Sequence, residues 1–355
     1  MPGRGKLATI ELRTYNVLSS HLAAPCWFRA CEPANLERNA RYKRVLALLE
    51  GHMEQQAVLC LQEVSLAWAS KLHVDFAARD YTLVVNNYGN ARNGHMGCAI
   101  AFPSAQYTLK RVELVKVGAS IGKGAGGPGS GEAQGWAGWA AGLASAALRG
   151  AGVVAAERFD WWGAAKKREN VMVYAELEQT ATRAELCLAT YHMPCMFGSE
   201  DKERLMVIHA GMAAKALLGL ARGRAAVFAG DFNVKPADSC YRFLTSGAVA
   251  PADYAYPHFP VDGTRYDAWA PTMVRQFRSA YAAVNGEEPA FTNLAKVRND
   301  PVFCDCLDYI FCTDDVEIDS VLALPERGSL SGPVMPTKEQ PSDHLMIGAR
   351  LKVRT

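Results

Sequence analysis

The sequence has ten cysteines but no Cys-x-x-Cys pair, and it has no long uncharged apolar run. Cysteines paired at that spacing build structural zinc sites and redox centres, so neither is predicted. The most membrane-like stretch, residues 136–148, is shorter than the roughly 20 residues that cross a bilayer. Residues 1–6 lack the apolar core of a signal peptide and are expected to be disordered. We therefore expect an intracellular protein, cytoplasmic or nuclear, without membrane contact.

Neither sign of charge dominates, because Lys and Arg total 38, Asp and Glu total 36, and the net charge is +2. A surface that binds polyanions over its whole area is therefore not predicted, and a nucleic-acid enzyme of this composition would depend on local basic patches. Two candidate patches are the group Arg38, Arg41, Lys43 and Arg44 and the run 166–168. Charges solvated on a helix or loop are an equally good interpretation of both.

Apolar runs of strand length recur along the chain, with amphipathic helical patterns between them. Because most neighbouring strands are close enough to form hairpins, the pattern predicts two packed sheets covered by helices. The predicted strands are 7–18, 57–64, 81–87, 98–102, 107–117, 170–177, 185–191, 225–230, 306–312, 316–324 and 345–353, and the predicted helices are 35–50, 66–79, 200–221 and 236–246.

Residues 118–152 differ from the rest of the chain, since Gly, Ala and Ser dominate them. This composition predicts a flexible insertion between two strands, in which residues 136–148 could form a short helix. The segment lacks the GxxxxGK[ST] pattern of a phosphate-binding loop, so phosphate binding here is disfavoured.

Two polar side chains end apolar strands near the N-terminus. Glu63 ends the run 57–64, where a carboxylate needs a partner and a cation would serve. Asn16 ends the first strand in the same way; alone it would suit an Asx-type turn, but together with Glu63 it favours a metal site. Carboxylate and amide oxygens are hard ligands that suit Mg²⁺ or Mn²⁺.

A Gly-Asp-Phe-Asn motif, residues 230–233, follows another buried strand. Asp231 and Asn233 are two positions apart, so on an extended segment they face the same side. Asp231 could accept a proton from water, and Asn233 could donate a hydrogen bond to a phosphoryl oxygen. A simple turn after the strand is the alternative.

Two histidines complete the candidate catalytic set. His344 needs an acceptor that fixes its tautomer, and Asp308 in the strand 306–312 is a plausible one. Asp343 is adjacent to His344 and therefore points elsewhere, toward a metal or the nucleophile. His192 closes a strand and, taken alone, is more typical of a hydrogen-bonded structural histidine.

Each motif is a weak signal alone, but their joint occurrence in this order is strong because chance matches multiply. Residues from Asn16 to His344 must converge on one site, which predicts a single domain over residues 7–353. A histidine beside two aspartates suits proton transfer and phosphate binding. The set predicts a metal-dependent phosphodiesterase.

Over roughly residues 8–353 these motifs resemble the endonuclease/exonuclease/phosphatase superfamily. The resemblance implies a deoxyribonuclease I-like, four-layer α/β sandwich, in which two mostly antiparallel sheets are flanked by helices and the site lies at one sheet edge. It also implies that Glu63 is the main Mg²⁺ ligand, that Asn16 lies beside it, and that Asp343 is the second acidic group near the metal.

The resemblance also assigns catalytic roles. Asp231 resembles the aspartate that orients or deprotonates the attacking water, and Asn233 the amide that binds the phosphate. Asp308 and His344 resemble the family's Asp–His pair. His192 matches a motif histidine that is held near the phosphate or the leaving group.

Residues 278–281 and 288–293 narrow the resemblance to the deadenylase, nocturnin, Angel and 2′,5′-phosphodiesterase branch. Deadenylases hold the 3′-terminal base with an Asn and a Phe, and Asn293 and Phe303 occupy those positions. Stacking plus one amide suits the ends of single-stranded RNA, although core packing is an equally good interpretation of Phe303. Asn170 is a further candidate substrate contact.

The resemblance therefore implies an Mg²⁺- or Mn²⁺-dependent, deadenylase-like 3′-exoribonuclease that releases 5′-nucleotides. Its expected partner is single-stranded nucleic acid, with RNA favoured over DNA, and the sequence identifies no protein partner. A DNA endonuclease, or a small-nucleotide or lipid phosphodiesterase of the same superfamily, is one alternative. A non-catalytic module that binds RNA or protein is the other.

Overall fold

The computed structural model describes residues 7–120, 160–258 and 270–354. The strands are β1 (Leu7–Asn16), β2 (Val58–Val64), β3 (Tyr81–Asn87), β4 (Gly97–Pro103), β5 (Tyr107–Lys116), β6 (Val171–Gln179), β7 (Glu185–His192), β8 (Ala226–Asp231), β9 (Arg278–Ser279), β10 (Asn293–Ala295), β11 (Phe303–Asp305), β12 (Asp308–Cys312), β13 (Glu317–Val321) and β14 (Ile347–Arg354). The helices are α1 (Pro33–Leu36), α2 (Arg38–Met53), α3 (Leu66–Ala77), α4 (Val117–Ser120), α5 (Trp161–Lys166), α6 (Glu200–Ala221), α7 (Ser239–Ser246) and α8 (Ala280–Asn285).

The predicted strands and helices of the described segments are present, with ends shifted by a few residues. The prediction of one continuous helix over residues 35–50 is wrong in one respect, because an extended residue, Glu37, separates α1 from α2. The Glu37 side chain accepts from the backbone N–H groups of Asn39 and Ala40 and thereby starts α2. Residues 1–6 and the part of the predicted insertion beyond residue 120 lie outside the described residues, whereas residues 118–120 belong to α4.

Two six-stranded sheets form the centre, in the strand orders β13-β14-β1-β2-β4-β3 and β5-β6-β7-β8-β12-β9. Each sheet has one parallel pair, β1–β2 in the first and β7–β8 in the second, and its other neighbours are antiparallel. Strands β10 and β11 form a separate two-stranded ribbon. The predicted mostly antiparallel sheets are confirmed.

Successive side chains of β7 point into two different cores, and this alternation shows how the layers form. Leu186 and Leu188 belong to the core between the two sheets, whereas Cys187, Ala189 and Tyr191 belong to the core beneath α6. This arrangement follows from the two-residue period of a strand. On the far side of the first sheet, residues of α2 and α3 enclose a third core. Helix, sheet, sheet and helix are therefore stacked, which confirms the predicted four-layer sandwich.

Helix α6 is apolar and long enough to cross a membrane by length and composition alone, but 72% of its apolar window is buried within the protein. The Ser199 side chain caps its first turn by accepting from Lys202 N–H, and Arg222 ends it in a left-handed conformation. We therefore assign α6 as the core helix of the second sheet.

The two parallel pairs bring their carboxyl ends to one edge of the sandwich. Asn16 ends β1 and Glu63 lies next to the end of β2, while His192 and Asp231 end β7 and β8 as paired neighbours. A side chain at Gly230 would place its Cβ 2.0 Å from Tyr191 O, so only glycine lets these last two strands approach. The strand order thus assembles the candidate site.

Burial of His209 in α6 makes the stability of the fold depend on pH. Its Nδ1 lies 2.9 Å from Tyr191 Oη, and its Nε2 donates to Ala165 O. Burial lowers the pKa of His209 to about 4, so the folded protein keeps it neutral where an unfolded chain would protonate it. The stabilisation is complete above pH 6.5 and is lost as the pH falls toward 4.

We expect acidification from pH 7.5 to 5 to reduce the free energy of unfolding by about 2 kcal/mol through His209 alone. Urea unfolding at both pH values measures the loss, and His209→Gln should diminish it because glutamine can make both hydrogen bonds without titrating. His73 is exposed, so His73→Gln is the matched control. Equal pH dependence in both variants would contradict the assignment.

Candidate active site

Asn16 joins the two sheets at the edge where the parallel strands end. Its Nδ2 donates to Glu63 Oε1 at 3.0 Å and to Asp231 Oδ2 at 2.9 Å. Its Oδ1 accepts from Leu18 N–H at 2.9 Å. Asn16 therefore bridges one carboxylate from each sheet. The bond from Leu18 leaves one lone pair of Oδ1 free, so the predicted role of Asn16 as a metal ligand stays a prediction.

Glu63 is held from two sides. Its Oε1 accepts a hydrogen bond from Asn16 Nδ2, and its Oε2 accepts one from Ser19 N–H at 2.9 Å. The carboxylate is nevertheless 12% exposed, in contrast to the 2% exposure of the Asp231 side chain. Glu63 is therefore a fixed carboxylate that a solvent-borne cation can reach.

Asp231 is the centre of the site. Its Oδ1 accepts from Asn233 N–H at 3.0 Å. Its Oδ2 accepts from Asn16 and lies 3.5 Å from His192 Nε2 and 3.6 Å from His344 Nε2. The predicted catalytic residues Asp231, His192 and His344 thus come together around a single oxygen.

Asp308 holds His344, as predicted. His344 Nδ1 donates to Asp308 Oδ2 at 2.8 Å, and Thr292 Oγ1 donates to the same oxygen at 2.6 Å. Burial lowers the pKa of His344, but the charges of Asp308 and Asp231 outweigh it and hold the pKa well above 6.5. The two carboxylates therefore favour the imidazolium form of His344. Sequence reasoning gave Thr292 no role, although the residue lies in the run 288–293 that narrows the family resemblance.

Arg41 was predicted as part of a surface patch, and this is wrong because the side chain is fully buried. Its guanidinium donates to the carbonyls of Val17, Leu18 and Pro341, at 2.6, 2.8 and 2.8 Å respectively. These carbonyls belong to the segments that follow Asn16 and precede Asp343. Arg41 thus ties two segments of the site together from below.

Asp343 lies at the same edge. Burial raises its pKa, the charge of Glu63 raises it further, and the charges of His344 and Arg41 oppose both. Asp343 and Glu63 are therefore neighbouring carboxylates, and nearby positive charge favours the ionised form of Asp343. Its predicted contact with a metal fits this position and stays a prediction.

His192 is held by two side chains from other segments. Tyr88 Oη lies 2.9 Å from His192 Nδ1, and Asn170 Nδ2 donates to His192 O at 2.9 Å. Asn170 was predicted to contact the substrate, but its amide nitrogen is used within the protein. The sequence gave no sign of Tyr88, because the residue lies outside every recognised motif.

Backbone strain accumulates at these strand ends. Leu18, Glu63 and Asn233 have φ values of +52°, +59° and +50°, which side chains other than Gly, Asn and Asp rarely adopt. The Asn233 side chain donates to Met193 O at 3.0 Å while its N–H reaches Asp231. The chain therefore turns sharply after each strand, and the turns present polar side chains at one point.

The predicted base-binding residues lie on the two strands of the same ribbon. Asn293 is buried on β10 and forms a backbone bridge with His344. Phe303 on β11 is half-buried, 6.1 Å from the Phe197 ring, with Lys235 Nζ 5.2 Å from its own ring. A cavity of about 190 Å³ lined by Phe197, Asn233 and Lys235 adjoins them.

The donor set fits a divalent cation. Atoms of Asp231, Asp308 and His344 that could bind a metal lie within 4.8 Å of one another, and Asp308 Oδ1 is buried without a partner in the described part of the chain. His344 Nδ1 is already used by Asp308 and the protonated ring has no lone pair on Nε2, so the remaining donors are carboxylate oxygens. Such oxygens suit hard ions, and Glu63 with Asp343 would hold one.

Comparisons with known proteins identify sequence relatives of the chain. The chain is 36% identical over 132 residues to carbon catabolite repressor protein 4 homolog 4 of Arabidopsis thaliana, a match that covers 36% of this chain and 27% of that protein. It is 25% identical over 194 residues to mouse 2′,5′-phosphodiesterase 12, covering 52% of this chain and 29% of the relative. The matches thus span less than a third of these relatives.

Solved structures show the same fold. ANGEL2, described as a 2′,3′-cyclic phosphatase and bound to adenosine-2′,3′-vanadate, superposes with a TM-score of 0.71 at 16% identity and covers 100% of both chains. The family model for endonucleases, exonucleases and phosphatases matches residues 14–344, which span every catalytic and metal candidate from Asn16 to His344. The chain therefore belongs to the endonuclease/exonuclease/phosphatase family, whose members hydrolyse phosphoester bonds.

Proposed function

We propose that the protein is an Mg²⁺- or Mn²⁺-dependent 3′-exoribonuclease, deadenylase-like, that releases 5′-nucleotides. The observation that carries the proposal is the convergence on Asp231 Oδ2 of donors from Asn16, His192 and His344, with Glu63 bound to the same Asn16 amide. A carboxylate ringed by donors beside a second carboxylate suits the attack of water on a phosphodiester.

In this mechanism water attacks phosphorus in line with the leaving 3′ oxygen. Asp231 accepts a proton from that water as the P–O bond forms. The imidazolium of His344, held by Asp308, donates to a phosphoryl oxygen whose negative charge increases. The P–O3′ bond breaks, the 3′ oxygen takes a proton from solvent, and a 5′-nucleotide leaves.

Glu63 and Asp343 would hold the cation, which when bound neutralises phosphate charge in the reaction. The chain itself holds the acidic residues in fixed positions. Asn16 keeps Glu63 and Asp231 at a fixed separation, and Arg41 fixes the segments on either side of them. Positioning of this kind accounts for a large share of catalysis in phosphoryl transfer.

The proposed binding site for the 3′ end of the RNA is the ribbon of β10 and β11. Phe303 offers a half-buried aromatic face, and Asn293 lies beside His344. Curated relatives named as a carbon catabolite repressor homologue and a 2′,5′-phosphodiesterase support a nucleotide substrate. The structural likeness to a 2′,3′-cyclic phosphatase adds cyclic phosphate ends as a second substrate to test.

We expect Asp231→Asn to lower the cleavage rate by about 10² to 10⁴-fold, because the amide cannot accept the proton. The assay follows 5′-labelled single-stranded RNA with A-rich, mixed or cyclic-phosphate 3′ ends, with Mg²⁺ and with chelator. A ladder that shortens from the 3′ end only with the metal is the expected result.

The matched control is Asp253→Asn, because Asp253 is a carboxylate bonded to Ser239 outside the candidate site. Retained cleavage in folded Asp231→Asn would remove the role given to that residue. Nicking of plasmid DNA without shortening of RNA would replace the proposal with a DNA endonuclease.

A second prediction concerns the alkaline side of the pH profile. Because Asp308 helps to raise the pKa of His344 above 6.5, the wild type keeps the imidazolium as the pH rises. Asp308→Asn should lower that pKa, so kcat should begin to fall at a lower pH than in the wild type. Cleavage rates between pH 6 and 10 measure the shift, and coincident profiles would contradict it.

A third prediction separates the two interpretations of Phe303. If its ring stacks on the terminal base, Phe303→Leu should raise KM by about 5 to 100-fold, since one stacked base contributes about 1–3 kcal/mol. Folding stability should change little. A lower thermal midpoint with an unchanged KM would instead establish a packing role.

A further inference from the structure

Tyr88 follows β3 and reaches the site from a segment that carries none of the recognised motifs. Its backbone N–H donates to Met96 O at 2.8 Å, which fixes the residue beside β4. Its hydroxyl lies 2.9 Å from His192 Nδ1, and its ring meets the imidazole edge-on at 6.5 Å between centroids. The half-buried tyrosine therefore contacts the predicted catalytic histidine with both its ring and its hydroxyl.

The direction of the Tyr88–His192 hydrogen bond follows from a third residue. Asn170 Nδ2 approaches Tyr88 Oη at 3.4 Å and also donates to His192 O at 2.9 Å. An amide nitrogen can only donate, so the tyrosine oxygen is an acceptor toward Asn170. This arrangement leaves the hydroxyl proton of Tyr88 for His192 Nδ1.

The opposite side of the imidazole leads to the same assignment. His192 Nε2 lies 3.5 Å from Asp231 Oδ2 and 3.9 Å from Glu63 Oε1. A lone pair on Nε2 would face two carboxylates and be repelled, whereas an N–H there is attracted. A neutral histidine whose Nδ1 accepts a hydrogen bond carries its proton on Nε2.

We propose that Tyr88 is a positioning residue that fixes His192 as the Nε2–H tautomer and directs that N–H to the reacting phosphate. His192 is then a hydrogen-bond donor to the phosphate or leaving oxygen, and proton acceptance is left to Asp231. The catalytic consequence rests on the proposed phosphodiesterase function, but the tautomer does not.

The donor role of Tyr88 is stable under assay conditions. Burial raises the pKa of Tyr88 well above 10, and the nearby charges of Glu63 and Asp231 add to the effect. Both effects favour the protonated hydroxyl, which is the form that donates the hydrogen bond. The partner of His192 Nδ1 is thus a permanent donor, which suits a fixed tautomer.

The first arm of the test is NMR of ¹⁵N-histidine-labelled, metal-free protein at pH 7.5. Long-range proton–nitrogen spectra distinguish a protonated from an unprotonated ring nitrogen, and His192→Gln identifies the signals among the eight histidines. We expect a protonated Nε2 and an unprotonated, hydrogen-bonded Nδ1, with the Nδ1 signal shifted in Tyr88→Phe. A wild-type His192 protonated on Nδ1 would overturn the proposal.

The second arm measures turnover. Tyr88→Phe removes one oxygen atom and should lower kcat about 10-fold with KM unchanged, because one orienting hydrogen bond is lost. Tyr81→Phe is the matched control, since Tyr81 Oη donates to Met53 O and Ala57 O away from the site. An unchanged kcat in Tyr88→Phe, or an equal loss in Tyr81→Phe, would overturn the positioning role. If no phosphodiester is cleaved, the proposed function fails, and the NMR arm alone decides the tautomer.

Discussion

The pair of hydrogen bonds from one amide, Asn16 Nδ2, is the interaction on which the site depends. One acceptor, Glu63, belongs to the first sheet, and the other, Asp231, to the second. Like charges on facing sheets would otherwise push their edges apart. A neutral donor between the two carboxylates therefore helps the sandwich to bring acidic residues together. The sheet order that places β1 beside β2 serves this contact directly.

Buried positive charge stabilises the same edge from beneath. Arg41 is fully buried, and burial lowers its pKa to about 10, yet the charges of Asp343 and Glu63 favour its protonated form. His344 supplies the second cation, between Asp308 and Asp231. A buried ion left without a partner is strongly destabilising, so these groups depend on one another. The acidic cluster and the buried cations form one electrostatic unit.

The sequence was sufficient to predict the layers and most of the site. The predicted catalytic residues Asp231, His192 and Asp308 lie at strand ends, and strand ends are visible as the point where an apolar run meets a polar side chain. Arg41 was misassigned because basic residues on a helix usually face solvent, and only the folded chain shows the carbonyls of Val17, Leu18 and Pro341 around it. Local pattern carries no information about such distant acceptors.

The residues that sequence reasoning missed share this property. Tyr88 contacts His192, and Thr292 contacts Asp308. In each pair the two residues are more than 15 positions apart in the sequence. Strands β10 and β11 are three residues long, too short for a two-residue period to be recognised. Polar residues at the ends of recognisable strands could therefore be predicted, whereas Tyr88 and Thr292, which contact His192 and Asp308, could not.

The left-handed backbone at Leu18, Glu63 and Asn233 has an evolutionary consequence. Each such position costs on the order of 1 kcal/mol for an ordinary side chain, and glycine would remove most of that cost. Selection for thermostability would weigh this relief of strain against the loss of the hydrogen bonds that Asn16 and Ser19 donate to the Glu63 carboxylate. The strained glutamate at position 63 therefore marks a place where function and stability compete, without knowledge of any substrate.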